Sequence, residues 1–203
     1  AGTSHVWHDA PDGGATFATP GGGWIYVSNS ESVPGGVGAI AFDASGAIVA
    51  AYSILSGTLV NCAGGPTPWG TWLSCEELST GRVFECDPFT PGSMGVARPA
   101  LGTFMHEAAA VAHEAQRVLL TEDRTDGLLY RFTPASYPSL AAGTLAAAQI
   151  LYPNGQGPIQ PGQVRPVAWH TVPNPNPTGS QTATRYQVPA ATTFNGGEGC
   201  HYA

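Results

Sequence analysis

Lysine is missing altogether. All seven basic residues of the 203-residue chain are arginines, set against fourteen acidic residues for a formal net charge of −7. That removes the P-loop lysine, Schiff-base and pyridoxal-phosphate chemistry, and the basic footprint of a nucleic-acid binder. Charge of either sign is scarce, at 10% of residues. No stretch approaches the roughly 20 uninterrupted apolar residues of a membrane span. The opening AGTSHVWHD has neither the basic nor the apolar region of a signal peptide, so the chain is expected to start after any leader. The cysteines, Cys62, Cys75, Cys86 and Cys200, lack C-x₂-C spacing and are too few for a disulfide scaffold, so they leave the compartment open. No G-x-S-x-G elbow is present, which removes the sequence support for serine-hydrolase chemistry.

Turn-forming residues are abundant instead, with 27 Gly and 18 Pro beside a hydrophobic share of 42%. So many breakers exclude a coiled coil or helical bundle, and the apolar share excludes disorder. The length suggests one domain, or part of a larger one.

Three segments share one grammar of strand, acidic cluster, turn and strand: WIYVSNSE with GAIAFDASG, WGTWLSCEE with RVFECDP, and RVLLTEDR with LLYRFTP. Their acidic clusters, at Glu31, Glu76/Glu77 and Glu122, recur every ~45 residues, as expected of four-stranded propeller blades. The predicted fold is all-β, an incomplete β-propeller of roughly three to four blades occupying residues 1–203, with a ring of carboxylates around the axis. A fourth instance starts at GGEGCHY with Glu198, and the chain is expected to be the N-terminal part of a longer protein. Residues 153–181 are so rich in Pro, Gly and Asn that they read as a loop or insertion. HEAAAVAHEAQ and LAAGTLAAAQI are helical by propensity alone, whereas the repeat phase makes the first an inner strand. Both readings stay open.

Gly36-Val37-Gly38-Ala39-Ile40-Ala41 fits a dinucleotide-binding pattern in letters, but a strand and turn follow it rather than a helix. His106-Glu107 resembles half of a zincin signature, yet the next histidine is His113, too far along a helix to share one zinc. What remains is the series Glu31, Glu76, Glu77, Glu107, Glu122, Asp123 and Glu198 in a chain poor in cations. Carboxylates gathered in a partly dry channel protonate or bind metal ions, and Ca²⁺ takes six to eight oxygens, which suits ligands from several blades. Scattered, solvated carboxylates are the alternative. Cys62, flanked by Asn61 and followed by a Gly pair, reads either as a thiolate that biases the site toward iron or as a small buried hydrophobe or half-cystine.

NCAGGPTPWGTWLSCEE, followed in order by HEAAAV, LLTEDRTDGLLYRFTP and FNGGEGCHY, resembles the PhoX-type alkaline phosphatases and their secreted bacterial relatives. The match runs from about Gly22 to the end. The resemblance implies an exported β-propeller, secreted or periplasmic and monomeric when full length, that hydrolyses small phosphate monoesters at a cluster of Fe³⁺ and Ca²⁺. It further implies Cys62 as the iron-ligating thiolate. The metal carboxylates would be Glu76 or Glu77, Glu107, Glu122 and Glu198, with Asn29 and Glu31 matching an early Asn-x-Glu motif. The family pattern places an arginine two residues before the last glutamate, where this chain has Gly196. Arg124 or Arg131 would then have to grip the phosphate. A secreted calcium-binding propeller module without turnover, or an inactive fragment, is the competing expectation.

Overall fold

Short β-branched and aromatic runs punctuated by glycine and proline favour antiparallel meanders, and the chain forms three. The computed structural model describes residues 5–153 and 157–202. The first sheet takes β1 (Pro11–Ala18), β2 (Trp24–Ser30), β3 (Gly35–Phe42) and β4 (Ile48–Thr58) in sequence order. The second takes β5 (Asn61–Pro66), β6 (Trp72–Glu76), β7 (Val83–Cys86) and β8 (Val96–Ala97). The third takes β9 (His106–Ala112), β10 (Arg117–Glu122), β11 (Gly127–Ser136), β12 (Ser139–Ile150) and β13 (Val167–Thr171), while β14 (Thr193–Phe194) pairs with β11. These are three successive propeller blades. The repeated grammar of the sequence is the second and third strand of each.

Strand periodicity explains how one blade serves two interfaces, because successive side chains leave opposite faces of a sheet. On β6, Trp72 joins Val27, Val37 and Ile54 of the first blade, and the next residue, Leu73, joins Val118, Leu120 and Phe132 of the third. Val83 and Phe84 of β7 divide in the same way.

The first strands β1, β5 and β9 each lie at one edge of their sheet and pack against one another across the blades. Their approach is so close that side chains are excluded. A Cβ on Gly13 would stand 2.6 Å from the Ala63 Cα, and one on Gly65 would stand 1.9 Å from the Ala109 carbonyl oxygen. This settles the Ala-rich stretches as strands. All seven residues of β9 are buried, the approach of Gly65 to Ala109 leaves room there for small side chains only, and tertiary packing outweighs alanine's helical propensity. LAAGTLAAAQI likewise lies within β12.

The Pro/Gly/Asn-rich stretch 153–181 contains β13, which extends the third sheet; residues 154–156 of it lie outside the described residues. GGEGCHY forms no strand among the described residues, and its Gly199–Tyr202 line a cleft together with β1, β5 and β9.

Candidate metal centre

The three blades repeat one backbone device. Pro11 pairs with Ser30 and Gly14 with Ser28; Asn61 with Glu76 and Gly64 with Ser74; His106 with Glu122 and Ala109 with Leu120. Each inner strand therefore spends three residues where its partner spends two, which is a β-bulge, a device that re-aims a side chain. The first bulged residue is Asp12, Cys62 and Glu107 in turn. A second anchor repeats as well. The N–H of Glu31 donates to Ala10 O at 2.8 Å, that of Glu77 to Val60 O at 2.8 Å, and that of Asp123 to Met105 O at 3.3 Å. Glu31, Glu77 and Asp123 thus occupy equivalent positions, 46 residues apart in each case.

Five of these six residues, all but Asp123, converge in two groups. Ligand atoms of Cys62, Glu77 and Glu107 lie within 4.8 Å of one another, and so do those of Asp12, Glu31 and Cys62. Cys62 belongs to both groups. Glu198 faces Glu107 electrostatically, on a segment held by hydrogen bonds from Gly196 N to Arg124 O (2.9 Å) and from Gly197 N to Glu122 O (3.2 Å).

Burial pushes the Glu107 carboxyl up to about 7, and the charges of Glu77, Glu198 and Asp12 add to the effect against a hydrogen bond from Cys62. Glu77 is raised by burial and by its neighbours Glu31 and Asp123. The Cys62 thiol is pushed far up, first by burial and then by Glu107. Among the described residues, no arginine or histidine lies within ion-pair distance of Asp12, Glu31, Glu77, Glu107, Asp123 or Glu198. No cationic side chain therefore offsets these carboxylates among the described residues, and an added cation would.

Glu76 and Glu122, also expected as ligands, are held elsewhere. Each is buried and accepts the backbone N–H six residues on, Arg82 at 3.1 Å for Glu76 and Leu128 at 3.2 Å for Glu122. Glu76 also accepts from Leu59 N. Glu122 also accepts from Tyr130 OH at 3.0 Å and pairs with Arg185 at 2.8 Å. They close the β6–β7 and β10–β11 hairpins from inside the blade. Burial raises the Glu122 carboxyl, with Arg185 opposing.

The arginines expected at phosphate are also engaged away from the cluster. Arg124 pairs with Asp126 at 3.5 Å, and the Arg131 guanidinium stacks 4.5 Å from the Trp169 ring. Gly196 has φ +79°, and a Cβ there would stand 3.1 Å from Asp123 Oδ1, so the backbone suits glycine rather than arginine.

Sequence reasoning left out Asp12, and counted Asp123 in the acidic series but not among the ligands implied by the resemblance. The signal for Asp123 was the 46-residue step from Glu77; that for Asp12 was its place two residues into an inner strand, as with Cys62 and Glu107. A cleft of about 470 Å³ starts immediately after Asp12, Cys62, Glu107 and Glu198, lined by Gly13, Ala63, Ala108, Gly199 and the residues that follow them.

Propeller blades with a thiol and carboxylates converging at the starts of their inner strands define a candidate metal-binding propeller. The family model of alkaline phosphatase PhoX matches residues 39–82 and 78–201, and the chain belongs to that family. Its fold is similar to that of Pseudomonas fluorescens PhoX in complex with vanadate, a transition state analogue, with a TM-score of 0.62 and 19% sequence identity over 82% of this chain and 49% of that one. The chain thus spans about half the length of that relative. No curated protein matches the chain.

Proposed function

We propose that this chain builds the metal-holding wall of an exported phosphatase that hydrolyses phosphate monoesters with iron and calcium. The observation that carries the reading is the convergence of Cys62, Glu77 and Glu107 from two blades onto one point. The donor set fits the group. A thiolate suits iron and not calcium, while Glu31, Asp12, Asp123 and Glu198 supply the oxygens a calcium ion takes. When bound, such cations supply positive charge to the phosphoryl oxygens in the transition state. The chain's own residues hold and neutralise. Cys62 and Glu107 lie close enough to bind one cation, and burial, which raises both groups, makes cation binding compete with their protons. Membership of the alkaline phosphatase PhoX family supports the phosphatase reading.

A second reading, a calcium-binding module without turnover, is favoured by Gly196 and by the arginines. Arg82, Arg98, Arg124 and Arg185 are paired with acids, and Arg131 lies on Trp169. Metal analysis and an aryl phosphate assay of the full-length protein, with and without chelator, separate the readings. Stoichiometric iron and calcium with chelator-sensitive hydrolysis support the phosphatase; calcium alone with no turnover supports the module.

A further inference from the structure

The bulge that aims Cys62 into the cluster leaves a backbone problem. Between Asn61 and Gly64 the β5–β6 register slips, and such a bulge locally disrupts the ladder around Cys62 and Ala63. Buried carbonyls without partners are costly. The partner comes from the neighbouring blade. The side-chain amide of Asn29, fully buried on β2, donates to Cys62 O at 2.8 Å and to Ala63 O at 2.7 Å. Its Oδ1 accepts from Trp72 Nε1 at 2.8 Å and from Ser74 Oγ at 2.9 Å. Both donors and both lone pairs of the amide are used, so its orientation is fixed.

The equivalent positions in the other blades, two residues before Glu77 and Asp123, make no such link. Cys75 has no amide, and the Thr121 hydroxyl accepts from Ala108 N within its own blade. Among these three positions, an amide that crosses to the next blade stands opposite the strand that brings the thiol.

We propose that Asn29 is a positioning residue, a clamp from the first blade that fixes the bulged backbone of Cys62 so that its sulfur meets Glu77 and Glu107. The proposal rests on the reading of the cluster as a metal centre. Asn29 itself is not a ligand: its four polar contacts are all to protein.

Asn29→Asp tests it. The variant keeps size and the acceptor for Trp72 and Ser74, and it sets a carboxylate oxygen against two carbonyls. Trp72→Phe is the control, because it removes one contact to Asn29 and leaves both bonds to Cys62 and Ala63. The probe is Co²⁺ added to the chelated full-length protein, whose near-ultraviolet thiolate-to-metal absorption reports sulfur ligation. A second probe needs no metal: the alkylation rate of Cys62 in the metal-free protein, read by peptide mass.

For Asn29→Asp the expected results are about a tenfold loss of Co²⁺ affinity, in the range of outer ligand-supporting contacts, and faster alkylation of Cys62; Trp72→Phe keeps the absorption. Unchanged absorption and unchanged alkylation in Asn29→Asp overturn the proposal. So do equal losses in both variants, which mark a merely structural role. Should Asn29→Asp not fold, Asn29→Ser vacates the clamp without adding charge and is read by the same two probes. Absence of Co²⁺ absorption in the wild type counts against the metal centre, while the alkylation comparison still decides the role of Asn29.

Discussion

Glu76 and Glu77 are consecutive, yet they serve opposite sides of the same strand end. Glu76 turns into the blade to accept the N–H groups of Leu59 and Arg82, and Glu77 turns to Cys62 and Glu107 in the cluster. The alternation of side chains along a strand converts an ambiguous pair of letters into two separate roles. Their neutral variants should therefore part company. Glu76→Gln is expected to lower stability by about 1.5–3 kcal/mol, the worth of hydrogen bonds to a charged group; its ion pair with the half-exposed Arg82 at 3.7 Å adds little. Glu77→Gln is expected to leave the denaturant midpoint of the metal-free protein unchanged or higher, because it removes a repelling charge, and to weaken cation binding. Urea melts and Ca²⁺ titrations of both variants check the separation.

Glu122 and Arg185 form the most buried ion pair of the described residues, with side chains 0% and 9% exposed. Breaking a buried pair by deleting one partner costs about 3–5 kcal/mol, since it strands the other charge. Arg185→Met should show that loss in denaturant melts, and Tyr130→Phe a smaller one. The double change Arg185→Met with Glu122→Gln should recover much of it. A double-mutant cycle with no coupling would contradict this placement of Glu122.

His106 supplies a pH dependence. The ring is fully buried and lies 3.6 Å from the Phe104 ring; Nε2 stands 3.1 Å from Gly102 O, and Nδ1 is unpartnered. Burial pushes its pKa down to about 3, against roughly 6.5 when unfolded. The unfolded chain then binds a proton that the native chain does not. This contribution is constant above the unfolded value and costs stability as pH falls from 6.5 toward 3, by at most about 1.4 kcal/mol per pH unit. His106→Asn, which copies Asn61 at the equivalent place in the second blade, should flatten the decline measured between pH 6.5 and 4.

The inner strands should tolerate no added side chain at their contacts. Gly65→Ala places a methyl against the Ala109 carbonyl and is expected to cost at least the ~1–3 kcal/mol of an overpacked core. Thermal melts of Gly65→Ala against Gly21→Ala, where a Cβ meets nothing within 4 Å, compare crowding with the strain of a positive φ alone.

The three strand–turn–strand units were legible because hairpins write themselves in local letters: apolar alternation, then STG or TDG. The cluster was legible in part, through Cys62, Glu77, Glu107 and the 46-residue step. Asp12 was not, because its place near the start of an inner strand carries meaning only once the bulged register of that strand against its partner is known. Glu122 was credited to the cluster for its neighbours in sequence, whereas its fate is decided by Arg185, 63 positions away in the chain. The strand character of HEAAAVA was legible only through the repeat phase and competed with helical propensity, because alanine is there for its size, which the adjoining β5 backbone reveals.

Anomalous scattering at the iron edge from crystals of the full-length protein addresses the central claim most directly. The account predicts a peak within bonding distance of Cys62 Sγ and flanked by the carboxylates of Glu77 and Glu107; metal-loaded crystals with no anomalous density at that sulfur would contradict it.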